Sequence, residues 1–381
     1  MHLKKTLSQT LLLLAMQPVF LNSVSLAANN TQHQMWSSVE YLNWWIQDSP
    51  IGVPLITENN NPNAFAMINE PGTNILFGAG SHHNSFTLAN IGGGRITIGG
   101  WLDTPHCYGI EASAFGLSRK KKNFTASSVN GQIPALNIPF FSTNTSSENV
   151  LVEKHPNTAT VNETIQPFNL EINGIYHMPQ QQKFPVLLLF GFHYFNVQEK
   201  IRLNDAVYEI PTLPGSTLNV RDNFATKNNF YGLQLGARTS YDYYHFNLEL
   251  TAEVGLGINA QKLRINAQTN VNNNIVIQNT GLFAEPSNIG TFSKNQFATL
   301  SQLEAKLGYK LNSNLSTFIA YNFLYINKVI RPGDQIDRNI NQSQNILIGG
   351  TGTLTGPASP SSQFRNSSMW IQGLSLGIEF A

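Results

Sequence analysis

Charged and hydrogen-bonding side chains recur at every second position in several otherwise apolar segments of this sequence. Between Tyr244 and Ile258, His245, Glu249 and Glu253 share one face, and aliphatic or aromatic residues occupy the other. Acidic and basic groups on one sheet face can line a charge-selective passage, or they can pair and fill a narrow interior. The sequence leaves both chemistries open. The side chains predicted to face such an interior are Arg95, Glu111, Glu171, His193, Gln234, Arg238, His245, Glu249, Glu253, Gln302, Glu304, Lys306 and Lys310.

Long strands with period-two alternation must position these side chains. The run from Tyr244 to Ile258 exceeds the usual strand of roughly 5–6 residues, and such length is typical of transmembrane barrels. In the final segment, Trp370, Leu374, Leu376, Ile378 and Phe380 share a face opposite small and polar residues. The predicted strands are Trp36–Ile46, Gly93–Leu102, Cys107–Leu117, Ile165–His177, Phe184–Asn196, Phe230–Ser240, Tyr244–Ile258, Phe297–Leu311, Leu315–Ile326 and Met369–Phe380.

The connections between these strands alternate in length. Asp103–His106, Met178–Lys183, Tyr241–Tyr243 and Asn312–Asn314 are short, and the other five connections are long. This alternation is the rule for outer-membrane barrels. The sequence predicts an all-β fold, a single antiparallel up-and-down transmembrane β-barrel of about ten strands with long extracellular loops and short periplasmic turns. Twelve strands are the alternative, with a further hairpin in Lys200–Tyr208 or Ile346–Leu354.

Aromatic residues near the predicted strand ends fit interfacial girdles. They are Trp44, Trp45, Trp101, Tyr108, Tyr176, Tyr194, Tyr231, Tyr241, Tyr243 and Trp370.

The N-terminus predicts export. Residues 1–27 read as a cleaved signal peptide, with Lys4 and Lys5 before the apolar run Leu11–Ala15 and a small-x-small site ending at Ala27. Residues 28–381 are then the barrel domain. Only 12% of the 381 residues are charged, against about 25% in soluble domains. A net charge of +1 gives no general attraction to nucleic acid, and the single Cys107 excludes an intrachain disulfide.

The remaining polar clusters predict no catalytic, cofactor-binding or metal site. Asp334 and Asp337 lack neighbouring acidic ligands, and Pro332-Gly333 between them and Arg331 explains a tight turn. His82-His83 lacks a further ligand cluster. The basic cluster at residues 119–122 is interpreted as a solvated loop base, with lipopolysaccharide phosphates as the alternative contact. No acid/base pair or nucleophile motif indicates an enzyme.

A set of ordered motifs carries a family resemblance. They are Trp36–Trp45, Val53–Ile56, Pro71–Gly78, Gly93–Asp103, Tyr108–Ala112, Tyr321–Tyr325, Val329–Asp337 and Trp370–Phe380. Together they resemble the "beta barrel porin seven" family of Gram-negative bacteria. The resemblance implies a barrel in the bacterial outer membrane, surrounded by its lipids and lipopolysaccharide and inserted by the barrel assembly machinery. It also implies a porin that passes small solutes. The alternative is a non-conducting structural or adhesin-like barrel that acts through its extracellular loops.

Overall fold

The structure is a computed structural model that describes residues 35–61, 64–79, 86–128, 135–151, 154–178, 184–209 and 215–381. The predicted signal peptide, the His82-His83 pair and most of the Met178–Lys183 turn lie outside these residues. The described strands are β1 (Met35–Ile46), β2 (Pro54–Asn59), β3 (Thr73–Gly78), β4 (Leu88–Trp101), β5 (Tyr108–Leu117), β6 (Lys120–Ser127), β7 (Ala135–Asn137), β8 (Pro139–Ser142), β9 (Ser147–Val150), β10 (Lys154–His177), β11 (Val186–Glu209), β12 (Leu218–Tyr243), β13 (Phe246–Val271), β14 (Ile275–Gln278), β15 (Gly290–Lys310), β16 (Leu315–Val329), β17 (Asn339–Ile340) and β18 (Ser367–Phe380). Three short 3-10 helices span Pro332–Gln335, Gln342–Gln344 and Ile346–Ile348.

A closed antiparallel barrel is formed by β1, β4, β5, β10, β11, β12, β13, β15, β16 and β18. Each of these strands pairs with the next one along the chain, and the last pairs with the first. In that closing pair, Ser37 lies opposite Phe380 and Ile46 opposite Ile371. The predicted ten-strand, up-and-down barrel is confirmed. The remaining two strands of the main sheet, β6 and β14, pair with β10 and β13 without entering the barrel.

Four neighbouring strands, β10 to β13, are 24 to 26 residues long. The stretches 197–217 and 218–229, predicted as one long connection, instead largely continue β11 and β12, and Lys200–Tyr208 is part of β11. Ile346–Leu354 forms a 3-10 helix and loop, not a hairpin. The error has a physical reason. Beyond Tyr194 the outward positions of β11 are polar or charged, so the apolar alternation that marked the strand disappears.

Exposed apolar side chains form a band around the outside of the barrel. On β12 and β13, Leu233, Leu235 and Leu256 are 62%, 64% and 52% exposed. We call this band the apolar belt. The barrel end with the short turns is the turn end, and the opposite end, beyond the belt, is the loop end. An outward apolar band on alternating strands is typical of barrels in lipid. No helix among the described residues is long and apolar enough to cross a bilayer.

At the loop end, the described parts of the connections β1–β4, β5–β10, β13–β15 and β16–β18 fold together over the extended strands. We call them the loop assembly. It contains two three-stranded sheets, β3-β2-β7 and β17-β8-β9. Its side chains share a buried apolar cluster with the inner face of the extensions, so that Phe140 and Phe283 lie in one core with Phe224 and Ile265. The loops therefore fill this end of the barrel.

Candidate functional site in the barrel interior

The charged side chains nearest the turn end are paired across the barrel. Arg238 donates to Glu111 through Nη2 at 2.7 Å and Nη1 at 3.1 Å. Lys306 lies 3.0 Å from carboxylate oxygens of both Glu249 and Glu379. These residues come from five strands, β5, β12, β13, β15 and β18, whose alternation turns one face inward. The side chains thus cross-link the wall from within.

Arg95 is the centre of a second layer, one step further from the turn end. It forms an ion pair with Glu304, donates to Asn322 Oδ1 at 2.7 Å and lies 3.6 Å from Glu40. Its guanidinium is also 5.4 Å from the ring centroid of Trp44. Carboxylates surround one side of this cation and an aromatic face covers another, an arrangement that favours a desolvated Arg.

His193 joins an amide-rich part of the same layer. Its two ring nitrogens lie 2.6 Å from Gln234 Oε1 and 2.6 Å from Asn169 Oδ1, and the residue is 0% exposed. Gln234 in turn donates to Asn173 Oδ1 at 2.8 Å, and Asn173 donates to Glu253 at 2.9 Å. These buried contacts link His193, the amide groups and Glu253 into one network across β10 to β13.

Most of the side chains predicted to face the interior meet in these layers. The structure brings together Arg95, Glu111, Glu171, His193, Gln234, Arg238, Glu249, Glu253, Gln302, Glu304 and Lys306. His245 is exposed in the turn between β12 and β13, and Lys310 pairs with Asp242 at 2.9 Å on the exposed rim.

Sequence reasoning missed several members of the network. Glu40 lies 3.6 Å from Arg95, and Glu379 lies 3.0 Å from Lys306. Trp36 donates to Glu111 at 2.8 Å. All three occur in predicted strands at inward positions, so counting every second residue from a neighbouring inward side chain would have found them.

A polar cavity of ≈ 270 Å³ lies among the charged side chains of both layers and extends to Ala381 at the turn end. Its acidic lining residues outnumber its basic ones. The acidic residues are Glu40, Glu111, Glu171, Glu249, Glu253, Glu304 and Glu379, and the basic residues are Arg95, Arg238 and Lys306. Among the described residues, no group of three or more His, Cys, Asp or Glu is arranged to hold a metal ion. The cavity is therefore lined by more carboxyl groups than basic groups, and the described residues around it form no metal centre.

An apolar layer lies directly beyond the charged layers, toward the loop end. It includes Trp44, Phe115, Phe195 and Phe230, each at most 2% exposed. Every barrel strand except β13 contributes to this layer. Trp44 was predicted to join an outer girdle, and that prediction is wrong. Its side chain points inward and packs edge-on against Phe115 with ring centroids 4.8 Å apart. Buried apolar side chains from nine of the ten barrel strands therefore pack together at this level.

The comparisons with known proteins bear on the barrel as a whole. The family model described as "Putative beta barrel porin-7 (BBP7)" matches residues 36–381. The chain belongs to this family. The description is that of a porin-like barrel, in line with the resemblance of the sequence motifs.

No curated protein matches the chain significantly. Among solved structures, the toluene transporter TbuX of Ralstonia pickettii aligns over 91% of this chain and 89% of its own, with 8% identity and a TM-score of 0.14. A similarity this low carries no argument about fold or function.

A buried ion pair attaches the loop assembly of this family member to its barrel. Arg331, at the start of the β16–β18 connection, donates to Glu199 of β11 through Nη2 at 2.6 Å and Nε at 3.1 Å. Its Nη1 donates to the carbonyl oxygens of Gln47 and Asp48 at 3.2 and 2.7 Å. Both charged side chains are 0% exposed. Three separate parts of the chain thus meet at one guanidinium.

A second attachment point is the carboxylate of Asp222 on β12. The backbone N–H groups of Leu282, Phe283 and Ala284 donate to it at 2.9 to 3.2 Å. Glu285, the next residue, is 0% exposed and is hydrogen-bonded by the Asn345 amide. Burial, and then the nearby Asp222 carboxylate, raise the pKa of Glu285 to about 9. The β13–β15 connection is therefore held to the strand wall through Asp222, and beside that contact it carries a carboxyl group whose ionisation depends on pH.

Proposed function

We propose that this protein is an integral β-barrel of the bacterial outer membrane that keeps its interior closed at rest and acts through its loop assembly. The single observation that carries the proposal is the apolar layer. It brings buried apolar side chains of nine barrel strands together between the polar cavity and the loop assembly. A hydrated solute would have to shed its water or displace packed aromatic rings to pass, and both are costly.

The apolar belt supports the membrane location, because exposed leucines on long alternating strands are stable in lipid and would be a liability in water. In this proposal the turn end faces the periplasm and the loop end faces the outside. The predicted signal peptide directs export. The barrel assembly machinery is the proposed partner that inserts the chain, with the final strand β18 as the strand that closes the barrel against β1.

Planar-bilayer recording tests the proposal. We expect the purified protein to insert without steady conductance. Phe195→Ala/Phe230→Ala, which removes two rings from the apolar layer, should introduce measurable current. The matched control is Leu233→Ala/Leu235→Ala on the belt, which should stay silent. Steady ohmic current from the unmodified protein would overturn the proposal.

A second candidate function is passage of small solutes through a state in which the apolar layer has moved. Family membership and the polar cavity favour it. The surplus of carboxylates over basic groups around the cavity predicts that such a state conducts cations in preference to anions. Transient openings with a cation-selective reversal potential in a KCl gradient would support this candidate, and anion-selective openings would contradict its physical basis.

A further inference from the structure

The outer surface of the strand extensions carries a field of basic side chains just beyond the apolar belt. We call it the basic face. It lies on the outward positions of β6, β11, β12 and β13 and on the residue that precedes β6. Its members are Arg119, Lys121, Lys200, Arg202, Arg221, Lys227, Lys262 and Arg264.

Strand register sets these side chains in adjacent rows. In one row, Thr164 lies between Lys121 and Lys200 on its two neighbouring strands. Ala225 lies between Lys200 and Arg264 in the same row. In the row nearer the belt, Lys227 lies directly opposite Lys262. Arg119 reaches that row by donating to the Gln166 side chain at 3.0 and 3.2 Å.

Two further rows, farther from the belt, contain Arg202 and Arg221. The remaining outward positions in all four rows are neutral. They are Gln166, Gln198, Ser293, Thr164, Ala225, Thr291, Asn123, Asn162, Asn223, Asn266, Thr125, Thr160, Asn204 and Gln268. No acidic residue lies on this part of the described sheet face. Cations directly opposite each other destabilise an antiparallel pair, and Arg202, Arg264 and Arg221 lie close enough to Lys200 to repel its ammonium group. The isolated protein does not neutralise this face.

The height of the basic face identifies what could neutralise it. Lys227 and Lys262 lie four residues beyond Tyr231 and Ile258, the last exposed apolar residues of the belt on their strands. At about 3.3 Å per residue and a strand tilt of about 40°, the lysine backbones lie about 10 Å above the belt. Lysine side chains extend several ångströms toward a bilayer surface. Their ammonium groups therefore reach the headgroup layer of the adjoining leaflet.

We propose that the basic face binds the phosphate groups of a multiply phosphorylated lipid in that leaflet, the lipid A part of lipopolysaccharide. The proposal rests on the outer-membrane location proposed above. Arginine forks and lysine ammonium groups suit phosphate oxygens. Several cations in two rows match a headgroup with more than one phosphate better than a single small anion. The interpretation of residues 119–122 as a solvated loop base is revised here for Arg119 and Lys121, because both join a larger face that the sequence order conceals.

Binding is tested on the full-length mature protein in a neutral detergent without divalent cations. Calorimetric titration compares bisphosphorylated lipid A, the same lipid after dephosphorylation, and inorganic phosphate. We expect saturable binding of the phosphorylated lipid that weakens as salt rises. Lys227→Gln/Lys262→Gln should weaken it at least about tenfold, because two charge-assisted contacts are lost. The control, Lys310→Gln/Arg365→Gln, removes two exposed cations elsewhere and should bind as the unmodified protein does.

The test variant should fold, since it removes a like-charge pair, and its melting temperature without lipid should be equal to or above that of the unmodified protein. Equal binding of the dephosphorylated lipid would overturn the proposal, as would an unchanged affinity in the test variant. Displacement of the lipid by millimolar inorganic phosphate would show a general anion site and would also overturn it. Conductance is recorded separately. Steady conductance would refute the proposed closed interior and would leave the lipid-binding result unaffected.

Discussion

The ion pair between Arg331 and Glu199, which we call the latch, is predicted to be the main contact that holds the loop assembly to the barrel. In Arg331→Met the Glu199 carboxylate stays buried at 0% exposure without its counterion, and the carbonyl oxygens of Gln47 and Asp48 lose their donor. Methionine keeps a similar length and apolar bulk, so the change removes charge and hydrogen bonds more than volume.

The magnitude follows from the geometry. At the observed 2.6 Å separation, the attraction is about 6 kcal/mol with an effective dielectric constant of about 20, and the desolvation of both groups offsets part of it. Removing one member of such a pair typically costs about 3–5 kcal/mol. Opening of the segment 330–366 should then be favoured by about two to three and a half orders of magnitude.

Amide hydrogen exchange followed by mass spectrometry measures this opening peptide by peptide. Peptides within 330–366 should lose protection by that factor, and peptides in the belt portion of β12 and β13 should not change. The matched control is Arg338→Met, because Arg338 and its partner Glu148 are 18% and 22% exposed in the same assembly. We expect that variant to lose less protection than Arg331→Met, because both members of its pair keep some contact with water and a carboxylate left alone there can be hydrated.

The double variant Arg331→Met/Glu199→Leu separates the pair from the cavity around it. Replacing both charges with apolar groups should recover most of the lost protection, since a buried pair is often no more stabilising than a well-packed apolar replacement. Two results would refute the reasoning. One is equal exchange in Arg331→Met and Arg338→Met, and the other is a double variant as unprotected as the sum of its single changes.

Three further predictions follow from other contacts. Since the folded pKa of Glu285 is raised to about 9 from 4.5, the folded state holds a proton that the unfolded state has lost, and stability should fall as the pH rises from about 4.5 toward 9. Denaturation at several pH values should show that fall, and Glu285→Gln should flatten it. Val254→Arg, near the middle of the belt, should make folding into the bilayer less favourable by about 2–4 kcal/mol in a bilayer refolding titration, whereas Leu354→Arg in the loop assembly should not. A Cβ at Gly281 would lie 1.7 Å from a carboxylate oxygen, so Gly281→Ala should lower thermal stability of the loop end, while Gly52→Ala, with open space around it, should not.

The barrel could be predicted because its strands carry a local signal. Alternation between Phe246 and Ile258 is visible in the sequence, and the same parity that turned Leu256 outward turned Glu253 inward. The extensions beyond Tyr194 and Tyr231 lacked that signal. Their outward positions lie beyond the apolar belt and are mostly polar, as the residues of loops are. Every second residue still points inward and is buried.

The closure of the interior could not be predicted from the sequence. Trp44 and Phe230 are aromatic residues near the ends of the predicted strands. At such positions an outer girdle and an inner apolar layer have the same local pattern. Which one forms depends on the phase of each strand and on what the opposite wall supplies. The Arg331–Glu199 contact joins residues 132 positions apart, and no spacing rule indicates such a pair.

In the proposed closed state the barrel has two barriers in series, and this determines what each variant can do. A ten-strand barrel lies near the small end of the range, where side chains can fill the interior. Here the strands supply the apolar layer, and the loop assembly adds its own core beyond it.

Releasing the latch at Arg331 should therefore mobilise the loops without producing current, because Trp44 and Phe195 remain packed. In Phe195→Ala/Phe230→Ala the loop core remains as a partial barrier, so the current of that variant should be small and should increase when Arg331→Met is added. Such a more-than-additive increase, measured in one set of recordings, is the pattern expected of two closures in series. Equal current with and without the latch would place the whole barrier in the apolar layer.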